Sequence, residues 1–358
     1  MTSPYAPLHF ARGPAMKNRF MLAPLTNSQS HADGTISRDE HEWLRMRAVG
    51  GFGLTMTCAS HVHPSGQGFP GQLGVFSDAQ LPGLRQLADA IRAAGSLSSV
   101  QLYHGGMRCP APLTGHAPWC PSENAEFGAR AMSRSEIAEI TDAFVAAALR
   151  AERAGFDGVE LHGAHGYLLC QFLSPEINRR EDEYGGSFEN RCRLLLRVID
   201  GIRQSCRPDF QLGVRLTPER FGIPLAEALA LAQRLMSEDR CDYLDISVWD
   251  FQKEPEEAAH RGRTLTAHFG ALERKRTRLG VAGKLRTPAE VQAVLNDGID
   301  FVLLGRAAIL HHDFPQRAAQ PGFEPIATPV TRDYLRSQYL GSAFIEYMAG
   351  WKGFVAEA

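Results

Sequence analysis

The 358-residue chain has 44% hydrophobic and 22% charged residues and a formal net charge of −2, the balance of an ordinary globular protein. No basic surplus invites nucleic acid or an acidic membrane surface. No apolar run approaches a membrane span, and Met1 to Ala11 lacks the apolar core of a signal peptide, so a cytoplasmic location is expected. Cys58, Cys109, Cys120, Cys170, Cys192, Cys206 and Cys241 are scattered and form no C-x-x-C. They read as buried reduced thiols, not as a disulfide framework, a zinc site or an iron–sulfur cluster.

Short apolar runs alternate with amphipathic stretches. Phe20–Ala23 reads as a strand, followed by a helix from Ser37 to Val49 that opens on a Ser-x-x-Glu capping pattern. Leu54–Cys58 is the next strand, and the helix Asp78–Ala94 stops at Gly95. Strand Ser99–Tyr103 leads into a Pro- and Gly-rich stretch, His104 to Met132, too long for a simple connection and expected to be a lid or small subdomain. A second capping pattern opens Ser133–Arg153. Strand Gly158–Leu161, helix Glu189–Ser205, strand Leu212–Leu216, helix Leu225–Met236 and strand Tyr243–Ile246 follow. The chain continues with helix Ala267–Arg276, strand Leu279–Ala282, helix Thr287–Leu295 with its Thr-Pro start, and strand Val302–Leu304. Tyr334 to Trp351 reads as an aromatic-rich helix, in a C-terminal helical segment around 331–351.

Eight strand–helix units predict one α/β domain over 1–358, a closed (β/α)8 TIM barrel. No G-x-G-x-x-G follows the first strand, which disfavours an open dinucleotide-binding sheet. Barrel active sites lie where strands end. Those ends carry Ala23, Pro24, Leu25 and Thr26; Ala59 and His61; Gln101 and His104; His162, His165 and Tyr167; Arg215; Ser247, Trp249 and Asp250; Gly283 and Lys284; Gly305 and Arg306. Glycines at the last two strand ends, with Arg306, suit a phosphate held by backbone N–H groups and a cation.

Several strings resemble the Old Yellow Enzyme family of FMN-dependent ene-reductases, over nearly the whole chain. They are Lys17-Asn18-Arg19-Phe20 with Ala23-Pro24-Leu25-Thr26, Gln101 to Gly106, Gly155 to Leu168, Gln171 to Pro175, Asn178 to Arg180, Asp182 to Ser187 with Glu189-Asn190-Arg191, Gly213 to Leu216, and Leu304-Gly305-Arg306. The resemblance implies FMN, bound non-covalently, with NADPH or NADH as reductant and a small electrophile as partner. It implies that His162 and His165 donate to the carbonyl oxygen of an enone and that Tyr167 gives a proton to Cα while hydride reaches Cβ. Arg215 would lie near flavin N1, Gln101 at the pyrimidine edge, and Thr26 at O4. Ala23, Pro24, Leu25 and Ala59 would pack on or offer backbone to the ring. Gly283, Lys284, Gly305 and Arg306 would hold the phosphate together with Ser247.

Thr26 accompanies a His-His pair, whereas subgroups of the family carry threonine or cysteine at the one place and His-His or His-Asn at the other. Ser28 stands where one subgroup has a substrate-contacting tyrosine. No metal is expected, yet two other readings stay open: a metal-dependent barrel hydrolase using His61, His63, His162, His165 and Asp250, and a flavin-binding protein with little turnover. Phe69, Tyr103, Trp249 and Phe251 are candidates to shape a pocket. The substrate, the choice between NADPH and NADH, the stereochemical preference and any homo-oligomer are open from sequence, as is whether the C-terminus completes a neighbour's site or covers its own barrel.

Overall fold

Apolar, β-branched runs become strands, and a computed structural model describes them for residues 2–357. In chain order the strands are β1 (Phe20–Leu22), β2 (Leu54–His61), β3 (Leu97–Tyr103), β4 (Trp119–Cys120), β5 (Arg130–Ala131), β6 (Gly158–Gly163), β7 (Gln211–Leu216), β8 (Tyr243–Ser247), β9 (Arg278–Ala282) and β10 (Phe301–Leu304). Eight of them close a parallel barrel in the order β1-β10-β9-β8-β7-β6-β3-β2. This is the (β/α)8 barrel expected; β4 and β5 pair separately within the 104–132 stretch.

Side chains alternate along a strand, so every second residue faces the barrel axis. The inner set includes Tyr243 and Phe301, whose rings meet edge to face with centroids 5.8 Å apart. Their register partners are Gly213 and Gly280. A Cβ on Gly213 would lie 2.1 Å from the Tyr243 ring, and one on Gly280 would lie 2.2 Å from the Phe301 ring. Glycine is what lets two large rings fill a narrow barrel. Below them the N-terminal segment folds into a hairpin, Leu8 and Met16 exchanging two backbone bonds of 2.9 Å. Both side chains join Met21, Leu54, Met56 and Leu303 in the buried cluster around those rings. The sequence reading assigned no structure to this hairpin.

Helix caps follow local chemistry. Ser133–Glu136 and Thr287–Glu290 form reciprocal capping boxes. Ser37–Glu40 forms only half of one: Ser37 accepts from Glu40 N–H, but the Glu40 carboxylate turns inward to Asn27 and Ser30. Burial raises its pKa against those hydrogen bonds.

Two helices differ from expectation. The stretch expected to run Ala267–Arg276 is helical only over Leu265–Gly270, and Gly270 packs its backbone against Asp297 O, where a Cβ would stand 2.8 Å away. The C-terminal segment is two helices, Arg332–Ser337 and Ser342–Ala349. They are separated by Tyr339 at φ +64°, a left-handed conformation that ends a helix. Among the described residues, no helix is long and apolar enough to cross a membrane.

Candidate active site

Charge inside a strand that faces the barrel axis has nowhere to go but the interior. Ser99 and Gln101 on β3, Glu160 on β6, Arg215 on β7 and Asp245 on β8 form such a layer above the Tyr243–Phe301 rings. Gln101 Nε2 donates to Glu160 Oε1 at 2.7 Å. Arg215 Nε approaches Asp245 Oδ2 at 2.9 Å, an ion pair off the hydrogen-bond line, since neither atom has a well-aligned partner. Burial raises both carboxyls. Glu160 is pushed up to about 8, with the charge of Asp245 adding to the shift. Asp245 is pushed up to about 6 by burial, against the opposing charge of Arg215. The two titrate as a pair, Asp245 ionising first beside the guanidinium. The sequence reading did not single out Glu160 or Asp245.

One residue pair further along, the same parity delivers His162 on β6 and Ser247 on β8. Ala164 N–H donates to His162 Nδ1 at 3.3 Å, which leaves the His162 proton on Nε2. His162 Nε2 lies 3.3 Å from His165 Nδ1, and His165 Nε2 lies 2.8 Å from Ser247 Oγ. One tautomer set satisfies the chain: His162 donates to His165, and His165 donates to Ser247. Ser247 also receives Arg215 Nη2 at 3.4 Å. Both imidazoles are held neutral, first by burial. For His162 the next causes are the charges of His165 and Arg215, and for His165 those of Arg215, Arg108 and Arg220. His165 itself sits at φ +59°, so its ring folds back over His162. Tyr167 completes the group, its ring 5.0 Å from His162 and 4.5 Å from Tyr103.

A cavity of about 200 Å³ lies over this cluster. Pro24, Leu25, Thr26, Ala59, Gln101, His162, His165, Tyr167, Arg215 and Arg306 all line it, so ten of the expected residues come together from six strand ends. A bulge in β2 between Met56 and Ala59 re-aims Ala59 toward the cavity. The bulge is pinned by Gln72 Nε2 on Ala59 O at 2.6 Å and by Gln101 N–H on Thr57 Oγ1 at 3.2 Å.

Other expected residues lie elsewhere. Ala23 belongs to the inner cluster below, its N–H spent on Leu304 O. Ser247 faces His165 and Arg215, not Arg306. Lys284 points away to Asp250 Oδ2 at 3.1 Å, and Gly283 packs beneath Phe251 and Val248, where a Cβ would clash at 2.7 Å. Neither lines the cavity. Gly305 directly precedes the short helix Arg306–Leu310. Only Leu25 would touch a Cβ there, at 3.3 Å.

Of the hydrolase alternative, His162 and His165 meet, but His61, His63 and Asp250 do not join them. His61 turns to His63 O, His63 to Ser65 and Glu139, and Asp250 to Lys284. Among the described residues there is no group of three His, Cys, Asp or Glu able to hold a metal.

The sequence left open whether the C-terminal segment covers its own barrel and singled out no residue of it for the wall. Ile309, Tyr347, Met348 and Trp351 close one side of the cavity, and three of these come from the chain's own C-terminal segment. Their signal was the aromatic run Phe344 to Trp351, but nothing in it says which barrel end it reaches.

FMN fits these residues. Leu25, Ala59 and Tyr167 line the cavity and would flank a tricyclic ring. Its pyrimidine edge would find a buried amide and a guanidinium in Gln101 and Arg215. A phosphate would find Arg306 and the bare Gly305 backbone beside the space a Cβ would leave open. Barrel, cavity and cation suit a flavin-dependent oxidoreductase. The chain belongs to the NADH:flavin oxidoreductase / NADH oxidase family, whose family model matches residues 5–322.

It is 33% identical over 337 residues to a probable NADH-dependent flavin oxidoreductase of Bacillus subtilis, covering 91% of this chain and 90% of the relative. It is 32% identical over 333 residues to an NADPH dehydrogenase of Bacillus licheniformis, covering 90% and 96%. An old yellow enzyme homologue from Zymomonas mobilis superposes with a TM-score of 0.82 at 26% identity, over 97% of this chain and 99% of the other. The protein is therefore an NAD(P)H-dependent flavin oxidoreductase with FMN as cofactor.

Proposed function

We propose that this enzyme reduces activated C=C bonds, as in enones, at the expense of NADPH or NADH. The observation that supports this best is the His162–His165–Tyr167 cluster: two neutral imidazoles beside a phenol, at the floor of the flavin-fitting cavity. When bound, FMN supplies hydride acceptance from the nicotinamide and hydride donation to the electrophile. The protein's part is to hold and protonate the other end of the double bond. Neutral imidazoles donate hydrogen bonds without giving up a proton, so they suit an oxygen that gains negative charge in the transition state. The substrate oxygen would replace His165 as acceptor for the His162 Nε2–H. His165 would then turn its own N–H from Ser247 to the same oxygen. Tyr167, beside His162 and nearer the cavity opening, would give its proton to Cα. Gln101 and Arg215 would orient the isoalloxazine edge, Thr26 would bond O4, and Gly305 and Arg306 would hold the phosphate. Tyr347, Met348 and Trp351 would exclude water from above.

The test is Tyr167→Phe in the holoenzyme, each half-reaction followed by flavin absorbance. Flavin reduction by NAD(P)H should stay near normal. Reoxidation by an enone should slow by about 10²–10⁴-fold, the usual worth of a positioned general acid. Equal rates in both variants would remove Tyr167 as proton donor.

A further inference from the structure

Beyond His165, and sharing it with the site above, is a second cavity of about 350 Å³. Its wall carries Arg108, Arg220, Lys253 and a single acid, Glu219. The acid is already used: Glu219 takes Lys253 Nζ at 2.8 Å and Glu256 N–H at 2.9 Å. Lys253 is shared again with Glu256 Oε1 at 2.8 Å. Neither arginine is held by an acid in this way. Arg108 Nη1 donates to the His165 carbonyl at 2.6 Å, and its guanidinium lies 4.9 Å from the Tyr167 ring centre. Arg220 lies against Trp249 and Phe221, 5.1 and 5.5 Å from the ring centres. Among the described residues, neither has a carboxylate at ion-pair distance; Lys253 lowers the Glu256 carboxyl, and the charge of Arg220 adds to this only from further away. Both are near enough to His165 that their charges oppose its protonation.

A second feature marks the same wall. Eight described non-glycine residues have positive φ, and four of them, His165, Arg220, Phe221 and Trp249, line this cavity. Trp249 is 63% exposed, a large ring left in solvent beside a cation. Left-handed conformations of bulky residues are costly and gather where a ligand is clamped. Two guanidiniums without an ion-pair partner and an open indole face match a planar molecule that ends in an anion.

Resting on the flavin oxidoreductase reading, we infer that this cavity binds an anionic arm, carboxylate or phosphate, of the molecule that exchanges hydride at the flavin, with the charge between Arg108 and Arg220 and the planar part against Trp249. The arm belongs either to an unsaturated oxidant that carries a carboxylate or to the phosphates of the nicotinamide dinucleotide. The two half-reactions separate these sources.

The experiment uses holoenzyme with Arg220→Gln and the conservative Arg220→Lys. Oxidants are benzylideneacetone and its para-carboxylate. Reductants are NADPH, NADH and the phosphate-free 1-benzyl-1,4-dihydronicotinamide. If the oxidant supplies the anion, Arg220→Gln weakens binding of the carboxylated enone by about tenfold, the loss of one charge-assisted hydrogen bond. The uncharged enone changes by less than about twofold, and Arg220→Lys restores most of the difference. If the reductant supplies it, the loss falls on NADPH and NADH and spares the benzyl analogue. The inference is overturned if charged and uncharged partners shift equally, or not at all, in both half-reactions. Should Arg220→Gln not fold, salt titration of the wild type replaces it. Affinity for the charged partner, and not its neutral analogue, must then fall with ionic strength. Failure of every flavin turnover with all partners would instead defeat the oxidoreductase reading itself.

Discussion

Glu160 offers a way to measure the charge beneath the flavin site through stability. Its carboxyl is fully buried, faces Asp245 across the barrel and is pushed up to about 8 from an ordinary 4.5. Between those values the folded state binds a proton that the unfolded chain has released, so stability falls as pH rises through that window. At about 1.4 kcal/mol per pKa unit the full shift would be worth roughly 5 kcal/mol; relaxation and proton sharing with Asp245 reduce this to about 2 kcal/mol. Glutamine is isosteric with the protonated acid and keeps a carbonyl for the Gln101 amide. Glu160→Gln therefore fixes the acid form at every pH. Unfolding entropy of about 2.1 cal/mol/K per residue over 358 residues means that 1 kcal/mol moves Tm by about 1.3 °C. Melting curves of apoprotein at pH 5 and pH 9 should thus nearly coincide at the acid end, with the variant about 3 °C higher at the alkaline end. Other titrating groups are common to both proteins and cancel in the difference. A constant offset at both pH values would refute the reasoning, because Glu160 would then not retain its proton on folding.

Other outcomes follow from single contacts. Gly213→Ala places a methyl 2.1 Å from the Tyr243 ring and should cost about 3 kcal/mol or more by overpacking. Adding Tyr243→Leu should recover part of that loss in a denaturant melt, and strict additivity would remove the proposed contact. Arg306→Ala should weaken FMN binding by about ten- to a hundredfold, as loss of one charge-assisted phosphate contact does. Riboflavin affinity should not change, and an equal drop for both ligands in a fluorescence titration would place Arg306 away from the phosphate.

The barrel was legible because its strands are apolar runs of the right length, separated by amphipathic helices with explicit caps. Strand starts and ends differ from expectation by three residues at most, as β2 shows by running on to His61. The rim cluster was legible as well, since strand ends converge whatever the loops do. What failed was the direction of individual side chains. Lys284 and Ser247 sit at rim positions in sequence, yet one turns out to Asp250 and the other in to His165. Chain position predicts that a residue reaches the mouth; it does not say which competing charge captures it there. Glu160 and Asp245 could have been found, because each is an acid two residues before a rim residue inside a parallel barrel strand, His162 and Ser247 respectively. Period-two alternation requires such an acid to point at the axis, and a buried acid requires a partner. Gln101 and Arg215, already assigned to the flavin edge, are those partners. The groups that would meet the pyrimidine are thus held from below by two carboxyls, and the charge state of that pair sets how firmly the amide and the guanidinium are fixed.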